Sequence, residues 1–157
     1  MYLGTSISEA IGEATLIKIG HTIGKSDKEE IRENKQISIK SSYVIAIIQL
    51  LLFLIFSKLL LSIISNNSYN NVAINLLYLF IVETIIETLH YPFEGYLLAL
   101  KEVKYVTIVN LTGVLVIRII SALIFMKLGL GIYGIALALI LDYFIRYLRY
   151  ISKVKKL

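Results

Sequence analysis

Four ionisable side chains lie within one apolar segment, VETIIETLHYPFEG, at residues 82–95. They are Glu83, Glu87, His90 and Glu94. In an α-helix, which turns by about 100° per residue, all four fall within a stripe about 60° wide. Acids in this arrangement can take up a cation, and an imidazole beside them titrates near neutral pH. The stripe is therefore the part of the sequence best suited to chemistry.

Glu83 and Glu87 lie near the middle of a segment that is long enough to cross a membrane. A carboxylate at that depth costs at least about 2.5–3.5 kcal/mol on insertion scales, so both should face protein or water rather than lipid. Burial and their mutual repulsion both favour the neutral, protonated form. We predict that Glu83, Glu87 and His90 exchange a cation, whereas Glu94 is expected to be solvated nearer the cytoplasmic end.

Pro92 lies among these residues. Proline has no amide hydrogen, so the carbonyl of Thr88 loses its helical partner and the helix can kink there. The freed carbonyl can bind an ion or water, and the kink can serve as a point at which the helix bends. Two other interpretations stay open for the stripe: a static ion pair with Arg118, or a water-facing helix edge without a function.

Other charged residues within the apolar segments have mainly structural interpretations. Asp142 and Arg146 are one turn apart with the acid first, which predicts an intrahelical ion pair. Arg118 lies in the middle of its segment and needs a counter-ion. The candidates for that counter-ion are Glu83, Glu87 and Asp142.

The first apolar segment also carries acids. Glu9 and Glu13 are one turn apart and share a helix side that could line a polar cavity. The alternative is that they lie in water near the outer end. Gly20 and Gly24 in the same segment form a Gly-x-x-x-Gly pair, which favours close helix packing.

Composition indicates that the chain is a membrane protein. Its 157 residues are 57% hydrophobic, and the mean hydropathy of +0.78 is far above that of an ordinary globular domain. Cysteine is absent, so disulfides and thiolate metal sites are excluded, and two histidines are too few for a multi-histidine site. The net charge of +5 sits in clusters between apolar runs, which is not the pattern of a nucleic-acid surface. We expect no enzyme, no cofactor, no metal and no nucleic-acid partner.

Five apolar segments are present, and they predict an all-α membrane protein with five transmembrane helices. Most have 20 or more residues, which suffices at 1.5 Å per residue to cross about 30 Å of hydrocarbon. The predicted helices cover about residues 2–23, 37–64, 72–100, 105–126 and 132–151. The charged segment 25–36 is predicted to be a cytoplasmic loop with a solvated helix along the interface, and 152–157 a cytoplasmic tail.

The positive residues of the loops predict the orientation. Residues 25–40 carry five Lys or Arg, 66–71 carry none, 101–104 carry two, 127–131 carry one, and the stretch after residue 145 carries five. Because Lys and Arg concentrate on the cytoplasmic side, the first loop and the C-terminus are predicted to be cytoplasmic. The chain would then start outside without a signal peptide, which indicates that it is part of a longer protein.

Three stretches resemble the multidrug and toxin extrusion (MATE) family of transporters. ATLIKIGHTIGKSDKEEIRE is similar to a family helix end and loop, with Gly20, Gly24 and Asp27 at matching positions and His21 where the family often has Gln. YPFEGYLLALKEVKY resembles the next landmark, although KEVK replaces a Gly-rich turn. The stretch 128–153 resembles the last turn and helix of the family. Its matching residues are Gly129, Gly131, Gly134, Ala136, Asp142 and Arg146.

The resemblance implies helices eight to twelve of a two-lobed, twelve-helix transporter in the plasma membrane. It implies export of small amphiphilic or cationic drugs in exchange for sodium ions or protons, with Glu83, Glu87 and His90 in the coupling role. Beyond lipid, the implied partners are a missing N-terminal lobe or a second copy of the chain. Two alternatives stay open: a polysaccharide or lipid-linked sugar flippase of the same superfamily, and a non-transporting remnant or split-gene assembly subunit.

Overall fold

The computed structural model describes residues 2–25, 27–64 and 70–157, and the regular structure in these ranges is entirely helical. The predicted all-α class is confirmed, as is the presence of five helices. They are α1 (Tyr2–Gly24), α2 (Lys28–Ile64), α3 (Asn71–Ala99), α4 (Val103–Lys127) and α5 (Ile132–Val154). Helix α4 contains a π-helical segment, Gly113–Arg118, between two α-helical parts.

Three of the described helices, α2, α3 and α4, are long and apolar enough to cross a membrane. Only 17, 28 and 17% of the residues in their most apolar stretches are buried within the chain. Apolar surface on that scale has to be covered by lipid or by another protein surface. The membrane crossing of α1 and α5 stays a prediction.

Helix α2 begins before the predicted apolar span. The segment 25–36, which the sequence predicts as a loop with a separate interfacial helix, is part of α2 from Lys28 onward. The side chain of Asp27 caps this helix, because its Oδ1 accepts hydrogen bonds of 3.0 Å from the amides of Glu29 and Glu30. The two acids of the first turn also suit the positive end of the helix dipole. No Gly or Pro interrupts α2, so the charged and apolar parts form one rod.

Helix α3 is the central element and packs against α1, α2 and α5. Its closest neighbour is α1, at a crossing where both helices have glycine. A Cβ atom on Gly95 would overlap the carbonyl oxygen of Gly12, and a Cβ atom on Gly12 would lie 2.9 Å from Cδ1 of Tyr91. Gly20 and Gly24, predicted as a close-packing pair, have no such neighbour within 4 Å. The close contact therefore forms between glycines of two different helices.

The apolar core lies at the end of the bundle where α3 ends and α4 begins. It contains Ile19, Phe93, Tyr96, Leu97, Val106, Val109, Tyr150 and Val154. Four of the five helices contribute to this cluster, and it fixes the C-terminal half of α3. The acidic stripe begins one to three turns toward the other end of α3, so the core holds the helix that carries it.

Short turns join the last three helices. In the KEVK turn, Lys101 has a positive φ of 63°, a conformation that normally requires glycine. In the turn before α5, Gly129 and Gly131 have φ values of 83° and 52°.

The connection between α2 and α3, predicted to be external, falls largely outside the described residues. Asn70 caps α3, because its Oδ1 accepts a 3.1 Å hydrogen bond from the amide of Ala73.

Candidate functional site

The acidic stripe lies on a buried side of α3. Glu83, Glu87 and His90 are 4, 2 and 1% exposed. This burial follows from the central position of α3, which is flanked by α1, α2 and α5. The structure therefore brings the three predicted cation-exchanging residues together inside the chain.

The stripe contains polar atoms without partners among the described residues. These atoms are Oε2 of Glu83, Oε2 of Glu87 and Nδ1 of His90. A buried polar atom without a hydrogen bond costs about 1–3 kcal/mol. A proton or a cation bound between the two carboxylates would satisfy these oxygens, so the arrangement suits reversible ion uptake. In the described residues, no group of three His, Asp or Glu side chains is arranged to hold a metal ion.

Tyr143 of α5 closes one side of the stripe. Its phenol neighbours Glu87, and its ring centroid is 5.3 Å from that of His90. The guanidinium carbons of Arg118 and Arg146 lie 5.6 and 5.2 Å from the same ring centroid. Tyr143 therefore stands between the acids of α3 and a cluster of charges on α4 and α5.

That cluster is built around Asp142, which is fully buried. Arg118 contacts Oδ2 of Asp142 through Nη2 at 2.7 Å and Nε at 3.0 Å. Arg146 binds the same carboxylate through Nη2 at 2.6 Å and Nε at 2.7 Å. Of the three counter-ions predicted for Arg118, the structure pairs it with Asp142. The ion pair between Arg118 and Glu83 or Glu87 is not formed.

Glycine makes room for this cluster. A Cβ atom at Gly113, where the π-helical segment of α4 begins, would overlap Oδ1 of Asp142 and lie 2.9 Å from Nη2 of Arg146. The same segment ends at Arg118, the residue that reaches across to Asp142. Such π segments often occur at functional sites because they change which side chains face a neighbouring helix.

Asn110 connects the charge cluster to the stripe, and the sequence reasoning did not identify it. Its Nδ2 donates a 2.9 Å hydrogen bond to Oε1 of Glu94. Its Oδ1 accepts bonds of 3.1 Å from Arg146 and 2.8 Å from the hydroxyl of Tyr150. The only sequence signal was an amide side chain within an apolar segment, which does not indicate a partner.

The expectation that Glu94 is solvated is wrong. Its side chain is only 14% exposed, and its Oε2 lies 3.3 Å from Nε2 of His90. Together with the bond from Asn110, this contact completes a polar network across α3, α4 and α5. The network runs from His90 through Glu94, Asn110, Arg146 and Asp142 to Arg118.

Beside Pro92, the polar contacts of α3 extend to α1 and α2. Oγ1 of Thr88 lies 2.7 Å from Oγ of Ser8 and 2.7 Å from Oε1 of Gln49. The same residue supplies the carbonyl that Pro92 leaves without a helical donor. The place where α3 can bend is therefore also where it is bonded to two other helices.

Glu9 and Glu13 lie on the exposed side of α1. They border a groove of about 240 Å³ between α1 and α3, which Tyr91 and Glu94 also line. The groove meets the network at Glu94. The predicted cavity-lining acids thus border open space next to the stripe-bearing helix.

Comparison with known proteins gives one finding. The family model MatE matches residues 1–124, which is most of the chain. No curated protein and no solved structure matches the chain.

Proposed function

The chain belongs to the MatE family, a family of membrane transporters, and we propose that it forms the C-terminal part of a cation-coupled efflux antiporter. The coupling ion is a proton or a sodium ion, and the substrate is a small amphiphilic or cationic molecule. One observation carries this proposal: Glu83 and Glu87 are buried one turn apart, and each keeps an oxygen without a partner in the part of the chain that the structure describes.

The neighbouring charges support a coupling role over a static one. Arg118 forms its ion pair with Asp142, which also binds Arg146, so neither carboxylate of the acid pair is in ion-pair contact with a basic side chain of the described residues. A pair without such a contact is stabilised in the protein interior by a bound mobile cation, since a buried unpaired charge is costly. Uptake and release of that cation change the charge inside the bundle by one unit, which can bias α3 between two conformations.

The bend that such a cycle needs is assigned to α3 near Pro92. The carbonyl of Thr88 has no helical donor there, so bending breaks one hydrogen bond fewer than elsewhere in the helix. Glu87 and His90 lie on either side of Thr88 and move with it. Cation binding to the acid pair is therefore coupled to bending of α3.

The exposed acids of α1 support a partner for the chain. Glu9 and Glu13 border open space, and lipid tails cannot satisfy carboxylates. We assign the surface that covers these acids to an N-terminal lobe or to a second copy of this chain. The substrate path then lies in the groove between that surface and this chain. In this arrangement the chain is a multi-pass protein of the plasma membrane with a cytoplasmic C-terminus.

Flux measurements on vesicles test the proposal. Vesicles containing this chain with its upstream half are loaded with ethidium, an organic cation, and an inward proton or sodium gradient is imposed. Gradient-dependent loss of ethidium is expected with both halves, and no loss with this chain alone unless it assembles with itself. Ethidium export that is independent of both gradients would count against the antiporter. Transport of lipid-linked sugar without transport of ethidium would also count against it.

A further inference from the structure

Helix α1 has a second exposed side with the opposite charge. Lys18 and His21 lie away from Glu9 and Glu13 and face a groove between α1 and α2. Neither basic side chain has an ion-pair partner among the described residues. This groove is separate from the acidic stripe, which faces α5 through Tyr143.

The wider end of this groove carries the basic side chains. It has a volume of about 590 Å³, and its surface is mainly apolar, with Ala14 and Ile17 among its walls. Lys18, His21, Thr22 and Asn34 line it as well. Asn34 is buried and fixed, because its Nδ2 donates a 3.0 Å hydrogen bond to Oγ1 of Thr22. Glu30 also borders this end, but its Oε1 lies 3.9 Å from Nζ of Lys25, so a local cation already offsets its charge. The remaining positive charge favours an anion.

The narrower end is mainly apolar as well. It has a volume of about 220 Å³, and its aliphatic walls are Ile11, Ala14, Ile37 and Ile45, with Thr15, Ser38 and Ser41 beside them. Ala14 and Lys18 line both ends, so the two volumes adjoin along α1. A ligand that follows the groove contacts apolar surface along its length and basic side chains at the wider end, which suits an anionic head with an apolar tail.

The dimensions of the groove match one leaflet of a membrane. From His21 to Ile11 the helix rises by about 15 Å, half of a hydrocarbon core about 30 Å thick. The wider end, with its basic side chains, is next to the charged start of α2, on the side assigned to the cytoplasm, where anionic lipids concentrate. We propose that the groove between α1 and α2 binds one anionic phospholipid, with its phosphate at Lys18 and His21 and an acyl chain along Ile11 and Ile37.

Lipid retention measures this site directly. The chain is extracted in mild detergent from vesicles of phosphatidylglycerol and phosphatidylcholine, and the retained lipid is counted by native mass spectrometry. Lys18→Gln is expected to lower the preference for phosphatidylglycerol about fivefold, because it removes the cation that contacts the phosphate of the bound lipid. Lys104→Gln is the matched control, because it removes an equal charge from an exposed lysine elsewhere and should leave the preference unchanged.

A second variant tests the apolar end. Ala14→Phe fills the groove without changing charge, and it is expected to reduce retention of both lipids. Ala14 and Lys18 are exposed, so both variants should keep the thermal midpoint of the parent chain.

Three results would overturn the lipid site. The first is equal phosphatidylglycerol retention by Lys18→Gln and the parent chain, and the second is full retention by Ala14→Phe. The third is displacement of the lipid by soluble glycerol phosphate at the same concentration, which would show a site for a free phosphate anion. The retention assay requires no transport, so failure of the antiporter proposal leaves its outcome unaffected.

Discussion

Asp142 and Glu87 are both buried carboxylates, but their surroundings suit them to different roles. Asp142 accepts bonds from two arginines on two helices. Glu87 neighbours Tyr143 and keeps one oxygen without a partner among the described residues. A buried acid whose charge is fully compensated stabilises a single arrangement, whereas an uncompensated one can change its charge state. We therefore assign fastening of α4 to α5 to Asp142 and ion exchange to Glu87.

Replacement of Asp142 should destabilise the chain strongly. Asp142→Asn leaves the buried guanidinium group of Arg146 and the partly buried one of Arg118 without their counter-ion, at a cost of about 3–5 kcal/mol. Thermal unfolding in detergent measures the loss. The matched control is Glu33→Gln, which changes an exposed acid and should leave the midpoint unchanged. Equal midpoints for the two variants would show that the cluster does not fasten the helices.

The contacts of these residues could be predicted from the sequence only where both partners lie on the same helix. Glu83, Glu87 and His90 could be grouped from the sequence because residues three and four apart share a helix side. The same spacing predicted the pairing of Asp142 with Arg146. The partner of Arg118 could not be chosen, because it depends on how α4 packs against α5.

Asn110 and Glu94 were missed for the same reason. The hydrogen bonds of Asn110 to Glu94 and Arg146 join different helices, and sequence spacing contains no information about such contacts. Only the contact of Glu94 with His90, four residues earlier in α3, follows from spacing. Glu94 was expected to be solvated because it lies toward the end of its segment. The C-terminal half of α3 is instead enclosed by α4 and α5, which requires a partner for the buried acid.

At the scale of helices, the position of α3 depends on its crossing with α1. Gly95 and Gly12 allow the two backbones to approach more closely than any side chain would permit. This contact holds the stripe-bearing helix against the helix that carries Glu9 and Glu13. A change in the crossing should therefore disturb both acidic groups.

Alanine at the crossing of α1 and α3 should be far more harmful than alanine at an uncrowded glycine of α1. In Gly95→Ala the added methyl group overlaps the backbone of Gly12, so the helices must separate, and we expect a loss of about 1–3 kcal/mol. Gly20→Ala places the same methyl group where no atom lies within 4 Å, and it should be neutral or slightly stabilising because alanine favours helix. Thermal midpoints of the two variants provide the comparison. A harmless Gly95→Ala would contradict the crossing.

The turn between α3 and α4 contains a removable strain. Lys101 has a φ of 63°, which costs a residue with a side chain about 1 kcal/mol relative to glycine. Lys101→Gly should therefore raise stability by about that amount. Lys104→Gly removes an equal charge but lies within α4, so it should lower stability by about 0.5–1 kcal/mol. The thermal midpoints of the two variants measure both effects. A lower midpoint for Lys101→Gly than for the parent chain would argue against this turn conformation.

Helix number was predictable because long apolar runs separated by polar segments are visible in the sequence. The start of α2 could not be predicted from hydropathy, because the apolar run begins near residue 37 whereas the helix begins with charged residues. Helical structure there depends on the Asp27 cap and on the absence of breaking residues, not on hydropathy. The two short turns after α3 were located from their polar residues and glycines.

At the scale of the whole chain, the orientation in the membrane determines which side receives the coupling ion. Cysteine is absent from the sequence, so single cysteines can be introduced at Ser26, Ser68 and Ser152 and labelled from outside intact cells. We expect labelling at position 68 and none at 26 or 152, since Lys and Arg cluster near the latter two. Labelling at 26 or 152 without labelling at 68 would reverse the orientation.

The most direct test of the central claim is ion-driven export by variants of the acid pair. Glu87→Gln keeps the shape of the side chain but cannot titrate, so in the assembled transporter it should abolish gradient-driven ethidium export while the membrane level stays normal. Glu83→Gln should lose export too, and the added change Arg118→Gln should not restore it, because Arg118 is bound to Asp142. Full export by Glu87→Gln, or restoration by the double change, would contradict the coupling role of the stripe.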